Sequence, residues 1–261
     1  VLSRGLGDVY KRQDITYVDL KKASYDEIRD WFISFGKMEI SIDKDLKYWL
    51  TTKNEPAVLD ELPPKPPSIT KPPFEDPLPI SWKVRDIGRP LKGGQRIKDN
   101  SWSFYGGGND IWNTNDQFRY AYRKLNSDFS FSIKIDSLYN VHQYAKAGIM
   151  IRKSLNPNSA HGLVNIFPSG NTEFGYRTSN GETMKADSGP QIDLEDARLK
   201  IKKSRNTIEF FVFNSTSWEK IGELDIRKWG KSFYVGIATL SHDNSQLTKA
   251  QYSEIDLNYY E

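Results

Sequence analysis

The sequence contains no cysteine, which excludes disulfide bonds, thiolate metal ligands and cysteine nucleophiles. It has only three histidines, and they stand far apart at His142, His161 and His242, so no imidazole metal triad or hydrolytic triad is indicated. No apolar stretch approaches the roughly 20 residues that a membrane-spanning helix needs. The formal net charge of +3 is too small to indicate nucleic-acid binding.

The composition is that of a globular protein with one large core or two smaller ones: 37% of the 261 residues are hydrophobic, 13% aromatic and 27% charged. Residues 1–13 resemble translated adapter sequence left by cloning, and they are excluded from the fold prediction. We expect the natural N terminus to be missing and the chain to be a fragment. The absence of a signal peptide therefore carries no information about secretion.

Residues 14–56 mix strand and helix patterns. Ile15–Val18 predicts a short strand, and Ser24-x-x-Glu27 has the form of a helix capping box. The apolar positions of the helix that should follow are Ile28, Trp31, Phe32 and Phe35. A second helix is predicted to begin near Asp43 and to carry Leu46, Trp49 and Leu50. We interpret this segment as the remnant of a truncated α/β or mainly helical upstream domain in the same chain.

Nine of the thirteen prolines lie between Pro56 and Pro79. Because proline fixes φ and lacks an amide donor, residues 57–79 are predicted to form an extended, proline-rich linker. The alternative is a ligand for a proline-recognising domain, since Pro64-x-x-Pro67 has the minimal pattern.

From residue 80 onward, short runs of alternating polar and apolar residues are separated by turn signals such as Asn156-Pro157-Asn158 and Asn180-Gly181. No long helix is indicated. Many short strands divided in this way are typical of an antiparallel sandwich or barrel, and about 180 residues suit a jelly roll. The sequence therefore predicts a mainly β module over residues 80–261, an antiparallel two-sheet β-sandwich.

Five ordered motifs in this module carry a family likeness. They are Asp86-Ile87-Gly88, Gly108-Asn109-Asp110-Ile111-Trp112, Phe118-Arg119-Tyr120-Ala121-Tyr122, Ala145-Lys146-Ala147-Gly148-Ile149-Met150-Ile151-Arg152, and Tyr234-Val235-Gly236-Ile237-Ala238 followed by Ser241-His242. In this order they resemble a family of bacterial concanavalin A-like lectin/glucanase domains, most of unassigned function. The resemblance implies a two-sheet jelly roll that lies beside carbohydrate-active or other extracellular enzymes, which agrees with the proline-rich linker.

Glu254-Ile255-Asp256-Leu257 looks like the start of the catalytic strand of laminarinase-type glucanases. In that strand three carboxylates alternate, because a period of two places them on one face of the sheet. The third carboxylate is missing here, since its position falls at Asn258 or Tyr259. We therefore predict a closing strand with Glu254 and Asp256 turned outward, and no catalytic residue is assigned.

The aromatic residues carry most of the binding signal, because sugar sites combine exposed rings with polar side chains that bind hydroxyls. In the strand from Ala145 to Arg152, the small and branched residues should face the core, which leaves Lys146, Met150 and Arg152 on a concave outer face. The predicted ligand-binding residues are Trp112, Tyr120, Tyr122, Lys146, Arg152, Tyr176 and Arg177. Of Tyr176 and Arg177, only one can share that face.

Each of these predictions has a structural alternative. The aromatic residues could pack within the sheet or core, and Lys146 and Arg152 could form internal salt bridges with Asp128 or Asp136. Gly106-Gly107-Gly108 predicts a tight bend in which Asp110 accepts backbone hydrogen bonds, rather than a phosphate loop, because no helix follows it. No cofactor is expected; calcium, bound by oxygens of Asn109, Asp110 and Asp116, is the alternative.

A basic run is formed by Arg198, Lys200, Lys202, Lys203 and Arg205. Leu199 and Ile201 alternate with it, so the lysines are predicted to lie on the solvated outer face of a strand, with a polyanion site as the alternative. The expected partners are therefore a polysaccharide or glycan and the upstream domain, with neither nucleic acid nor a membrane span.

The functional expectation is a non-catalytic carbohydrate-binding or accessory module of a secreted or cell-surface multidomain bacterial protein. Two alternatives remain open. One is a glycan hydrolase of the glucanase type on the same fold, which needs two carboxylates at a catalytic separation in the concave groove. The other is a structural or protein-interaction domain, which would have a shallow groove without exposed aromatic rings.

Overall fold

The computed structural model describes residues 68–259 together with four short strands in the preceding part of the chain. The chain divides into two compact units, residues 1–67 and residues 68–261. Within the described residues no helix could cross a lipid bilayer.

In the first unit the four described strands form one antiparallel sheet in the order β1-β2-β4-β3. They are β1 (Tyr10–Arg12), β2 (Ile15–Val18), β3 (Met38–Ile42) and β4 (Tyr48–Thr52). The predicted strand at Ile15–Val18 is confirmed, and β1 lies within the segment that resembles adapter sequence. The predicted helix near Asp43 is wrong at Trp49 and Leu50, which belong to β4, where aromatic and β-branched residues favour a strand. The other predicted helix, at residues 28–35, lies outside the described residues.

The second unit is built from sixteen strands and a 3-10 turn at Leu194–Asp196. The strands are β5 (Lys83–Ile87), β6 (Gly94–Lys98), β7 (Ser101–Gly106), β8 (Ile111–Trp112), β9 (Asn115–Asp116), β10 (Phe118–Leu125), β11 (Phe129–Leu138), β12 (Lys146–Arg152), β13 (His161–Ile166), β14 (Asn171–Arg177), β15 (Lys185–Gln191), β16 (Arg198–Ser204), β17 (Thr207–Phe213), β18 (Trp218–Asp225), β19 (Phe233–Leu240) and β20 (Thr248–Tyr259).

These strands form two seven-stranded antiparallel sheets, as the alternation predicted. The front sheet has the order β15-β14-β13-β12-β19-β10-β5, and the back sheet has the order β18-β17-β16-β11-β20-β7-β6. Strands β8 and β9 form a separate two-stranded hairpin. The predicted fold class, a two-sheet β-sandwich of the jelly-roll type, is confirmed.

The core between the sheets follows the period of two. In β11 the inward residues are Phe129, Phe131, Ile133 and Ile135, each at most 1% exposed. In β12 the predicted inward residues Ala147, Ile149 and Ile151 do lie in this core. Burial of each large apolar side chain stabilises the sandwich by roughly 1.5–3 kcal/mol, so the inter-sheet core supplies the main driving force of folding.

The front sheet is buried on its outer face as well. A second apolar cluster on that face includes Ile111, Phe118, Tyr120, Met150 and Leu163. The hairpin β8–β9 contributes Ile111 to it, and the stretch before β15 contributes Met184. This explains why every residue of β12 and β13 is buried, whereas the back-sheet strands alternate between buried and accessible positions.

The second unit begins earlier than the predicted module. Residues 68–79, which fall in the predicted linker, bind to the sandwich through backbone hydrogen bonds: the Leu247 amide donates to the Ile69 carbonyl at 2.7 Å, and the Gln95 amide donates to the Phe74 carbonyl at 3.0 Å. Glu75 and Gln95 form a parallel bridge. This segment therefore covers the free edge of β6.

Candidate functional site

A buried carboxylate, Asp116, organises the outer face of the front sheet. Its Oδ2 accepts a hydrogen bond from Arg152 Nη1 at 2.7 Å, and its Oδ1 accepts one from Arg177 Nη2 at 3.0 Å. The side chains of Asp116, Arg152 and Arg177 are all fully buried. Burial alone would raise the pKa of Asp116, but the positive groups around it lower the pKa below its usual value.

The two arginines also hold three loops against the sheet. Arg152 donates to the carbonyls of Ser154 and Asn156, and Arg177 donates to the carbonyls of Asn113, Ser159 and Glu182. The N–H groups of both guanidinium groups donate hydrogen bonds to protein acceptors. The two arginines therefore stabilise the hairpin β8–β9 and its neighbouring loops. These contacts fix the position of Trp112 at the tip of the hairpin.

Arg152 and Arg177 are therefore not exposed, and the prediction that Arg152 faces an open groove is wrong. Of the neighbours Tyr176 and Arg177, it is Arg177 that shares the face of Arg152, as the alternation required. The internal salt bridge foreseen for Arg152 exists, but its partner is Asp116. The two acids suggested from the sequence pair elsewhere: Asp128 with Lys203, and Asp136 with Lys134.

Of the three predicted tyrosines, Tyr120 and Tyr122 are buried, and Tyr176 is partly buried against the inter-sheet core. Tyr120 is 0% exposed, and its hydroxyl lies 2.9 Å from the carbonyl oxygens of both Met150 and Tyr234. Burial raises the pKa of Tyr120 well above its usual value. Tyr122 stacks on Tyr120, and Tyr176 stacks on Phe174 within the inter-sheet core. These rings are packing residues, as the structural alternative had it, so the prediction of an exposed tyrosine platform is wrong.

Two predicted residues, Trp112 and Lys146, come together at one end of the front sheet. Lys146 Nζ lies 3.1 Å from Asp110 Oδ1 and 3.4 Å from Glu173 Oε1, and it donates to the Ile111 carbonyl at 3.3 Å. The ammonium also lies 5.6 Å from the centre of the Trp112 ring. We call the set Asp110, Trp112, Lys146 and Glu173 the loop-end site.

Aromatic rings surround the loop-end site. Trp112 is 36% exposed and Tyr144 is 50% exposed, so both present ring surface to solvent. Phe167 connects Tyr144 to the site: its ring centre is 5.6 Å from Lys146 Nζ and 6.0 Å from the Tyr144 ring centre. Tyr144 also contacts His242 edge to face at 5.4 Å. The site thus combines partly exposed aromatic rings with the charged side chains of Asp110, Lys146 and Glu173. These three charged side chains form the floor of the site.

Asn165 lies beside this floor and is fully buried. It is opposite Gly148 on β12 and opposite Glu173 on β14. Neither its Oδ1 nor its Nδ2 has a hydrogen-bond partner among residues 68–259. Nearly all buried side-chain amides in proteins are hydrogen-bonded, so an unpartnered one indicates a place for a water molecule or a ligand group.

The electrostatics of the site favour the ionised form of Asp110. Burial would raise the pKa of Asp110, but the attraction of His242 and Lys146 lowers it below its usual value. His242 Nδ1 lies 3.5 Å from Asp110 Oδ2, and the His242 ring stacks on His142 at 4.4 Å. The loop-end site therefore offers acceptor oxygens on Asp110 and Glu173, while the buried Lys146 ammonium faces three protein acceptors.

The glycine-rich bend has the predicted local structure. Gly108 has a φ of +126°, and a Cβ there would lie 2.0 Å from the Gln117 carbonyl oxygen, so only glycine fits. Asp110 Oδ1 accepts a hydrogen bond from the Ile111 amide at 2.7 Å, as expected. The oxygens considered for calcium have cationic partners: Asp116 binds two arginines, and Asp110 binds Lys146. Within residues 68–259 no cluster of three or more metal-ligating side chains is found.

The back sheet carries the glucanase-like carboxylates. Ile255 and Leu257 pack against the inter-sheet core, and Glu254 and Asp256 are exposed, so the predicted orientations are confirmed. β20 is, however, an inner strand of its sheet. In the basic run, Lys200 and Lys202 lie on the outer face as predicted, but Lys203 is buried and pairs with Asp128 at 2.6 Å.

No protein-family model matches the chain, and no curated protein matches it in sequence. Among solved structures, it is similar to a functionally unknown protein from Saccharomyces cerevisiae, with a TM-score of 0.55 and 12% identity over 69% of this chain and 97% of that one. It is also similar to the GH43 protein BlXynB from Bacillus licheniformis, with a TM-score of 0.52 and 13% identity over 85% of this chain.

The shared fold is an antiparallel two-sheet β-sandwich of the jelly-roll type. The chain spans less than half of BlXynB, 46% of its length, so the likeness to that protein is one of fold. The carbohydrate-binding module CBM66 from Bacillus subtilis is also similar, with a TM-score of 0.45 and 12% identity over 72% of this chain and 98% of that module.

Sequence reasoning missed part of the site. Glu173 and Asn165 lie on strands whose neighbours could not be ordered from the sequence, and Tyr144 lies in a loop. The strand period does point to Glu173. Glu173 stands four residues before Arg177, so both lie on the same face of the strand, where the carboxylate can pair with a second cation.

Proposed function

We propose that the second unit is a non-catalytic carbohydrate-binding module and that the loop-end site binds the sugar. The observation that carries this proposal is the placement of two partly exposed rings, Trp112 and Tyr144, beside the polar groups of Lys146, Asp110 and Glu173. A flat ring packs against the apolar C–H face of a pyranose, and the carboxylates of Asp110 and Glu173 can accept hydrogen bonds from sugar hydroxyl groups.

The supports of the site favour binding without large rearrangement. Arg177 donates to the carbonyls of Trp112 and Asn113, so the hairpin that carries the Trp112 ring is tied to the sheet. A rigid site avoids the entropy cost of ordering a loop when the ligand binds. We expect the wider context to be an accessory module of a secreted or cell-surface multidomain bacterial protein, as the family resemblance and the proline-rich stretch imply.

Hydrolysis is the weaker candidate. Asp110 and Glu173 both contact Lys146, but retaining and inverting glycosidases need one protonated carboxylic acid beside an ionised one. At Asp110 the attraction of His242 and Lys146 lowers the pKa of the carboxyl group, which favours its ionised form. The exposed pair Glu254 and Asp256 has no third carboxylate on its strand.

Trp112→Ala tests the proposed site. We expect the full chain to bind one or more oligosaccharides on a glycan array, and the substitution to weaken that binding by about 1–3 kcal/mol, the usual cost of removing an aromatic anchor. Calorimetric titration with the oligosaccharide identified by the array measures the change. Tyr259→Ala is the matched control, because Tyr259 is also 36% exposed but lies on the back sheet. Equal affinity of the folded Trp112→Ala variant and the wild type would disprove the site.

Asn165→Leu separates a binding role from a packing role. The two side chains have similar branching, and leucine needs no hydrogen bonds, so we expect the free energy of unfolding to stay equal or to rise by about 1 kcal/mol. We expect glycan affinity to fall, because the only buried uncommitted amide beside Glu173 in the described site is removed. Urea unfolding and calorimetry measure the two effects. Marked destabilisation with unchanged affinity would show that Asn165 is purely structural.

A further inference from the structure

A groove of about 670 Å³ lies on the outer face of the back sheet, on the opposite side of the sandwich from the loop-end site. Its volume is within the range of small-molecule binding sites. The residues that matter for the argument are Asn100, Ser132, Arg198, Trp218, Glu254 and Asp256. Sequence reasoning treated this surface as a solvated strand face.

Two irregular backbone positions shape the groove. Asp99, in the tight turn between β6 and β7, has a φ of +43°, and Glu254 in the middle of β20 has a φ of +47°. Ser132 on β11 pairs with Asp256 on β20, but Lys134 pairs with Ser253, so the register shifts across this stretch. The shift marks a β-bulge in β20 that contains Glu254. A left-handed conformation at a non-glycine residue costs free energy, and bulges of this kind are common beside binding sites because they redirect a side chain.

The bulge directs Glu254 to Arg198. Arg198 Nε and Nη2 donate to the two Glu254 carboxylate oxygens, each at 3.0 Å, and this bidentate pair neutralises both charges. Hydrogen bonding to Arg198 lowers the pKa of Glu254. The charges left over at the groove are the carboxylates of Asp99 and Asp256 and the ammonium of Lys200, which lies on the Trp218 ring. One negative charge remains in excess, which disfavours an anionic ligand such as a uronate.

The remaining lining is suited to an uncharged sugar chain. Trp218 is half-buried at the wall, where Lys200 Nζ lies 3.9 Å from its ring centre and holds the ring in place. The side chains of Asn100 and Ser132 make no hydrogen bond within residues 68–259, so an amide and a hydroxyl are available to sugar hydroxyl groups. A fixed indole beside uncommitted polar groups is the combination that a neutral glycan requires.

We propose that this groove is a second glycan site, one that binds a neutral oligosaccharide with Trp218 as the stacking ring. It is independent of the loop-end site, since the two lie on opposite faces of the sandwich and share no residue. The second unit would then hold two sugar chains, or two parts of one chain, at once.

The test uses the full chain with Trp112→Ala, which weakens the loop-end site, so that the effect of a further Trp218→Ala change on the remaining binding reports the second groove. The probes are neutral hexasaccharides of β-1,4-linked glucose, xylose and mannose, with a hexamer of galacturonic acid as the anionic comparison. We expect Trp112→Ala to bind at least one neutral hexasaccharide and to bind the galacturonic acid hexamer more weakly. Adding Trp218→Ala should weaken the residual binding at least tenfold.

Two further variants control the test. Phe211→Ala removes an aromatic ring on the same sheet face that does not line the groove, and it should leave the residual affinity unchanged. Ser132→Phe fills the floor of the groove and should abolish the residual binding, with thermal unfolding used to confirm that each variant is folded.

The second site is overturned if Trp112→Ala binds none of the neutral hexasaccharides, if the double variant binds as well as Trp112→Ala, or if only the galacturonic acid hexamer binds. These outcomes are distinct from failure of the loop-end site. That failure would appear as equal binding by Trp112→Ala and the wild type, with Trp218→Ala alone removing all affinity.

Discussion

Arg152→Ala is expected to lower the free energy of unfolding by about 3–5 kcal/mol, the cost of removing one partner of a buried ion pair, although Arg177 still contacts Asp116. Arg152 contacts Asp116 at 2.7 Å, and both side chains are 0% exposed, so solvent cannot replace the lost charge. The substitution also removes the donors that bind the carbonyls of Ser154 and Asn156. Urea unfolding followed by circular dichroism measures the loss.

Arg123→Ala is the matched control, because Arg123 lies on the neighbouring part of the front sheet but donates only to the exposed Tyr259 hydroxyl. We expect it to change stability by less than about 1 kcal/mol. Arg152→Lys should recover only part of the stability, since an ammonium cannot reproduce the planar fork of donors. An Arg152→Ala variant as stable as Arg123→Ala would show that the Asp116 cluster does not support the front sheet.

Protonation of His161 should make the free energy of unfolding depend on pH. Burial lowers the pKa of His161 to about 3, and its ring lies 3.6 Å from Asp116 Oδ2 and 3.3 Å from Arg177 Nη1. In the unfolded chain the pKa returns to about 6.5. Between these two values the unfolded state binds a proton that the folded state does not, so stability is present above pH 6.5 and is lost as the pH falls.

The expected contribution is on the order of 1 kcal/mol per pH unit between pH 6 and pH 4. His161→Gln removes the titrating ring, so its stability should fall less steeply over this range than that of the wild type. At pH 8 the histidine is neutral in both states, and the difference between the two proteins there gives the cost of the substitution alone. Parallel stability curves for the two proteins would contradict the assignment of a neutral, buried His161.

The strands were predictable where alternation was strong and the strand was long. β17 alternates without interruption and β11 alternates from Phe129 to Ile135, and their buried positions there follow the apolar residues. The short edge strand β5 and the edge strand β15, with its glycine and proline, carry too few apolar residues to stand out from turns. The order of strands within a sheet is set by long-range pairing, for which a single sequence has no local signal.

The candidate site shows the same limit. The orientation of Lys146 and Arg152 away from the inter-sheet core followed from the pattern of β12, but their burial did not. That burial comes from the hairpin β8–β9, which is far from β12 in sequence and packs on the outer face of the front sheet. Pairing of Arg152 with Asp116 depends on this packing. The sequence alone favours Asp128 and Asp136 as partners, because they are closer to Arg152 along the chain.

Residues 74–76, which cover the edge of β6, determine where the chain can be shortened without exposing a sheet edge. Phe74 and Asp76 hydrogen-bond to Gln95 through the backbone, so they occupy an edge of the back sheet that would otherwise attract a strand from another molecule. A shortened chain that starts at Ile80, where the apolar side chain is 96% exposed, would lose this cover. Such a chain would be prone to self-association, whereas one that starts at Ser68 keeps the edge closed.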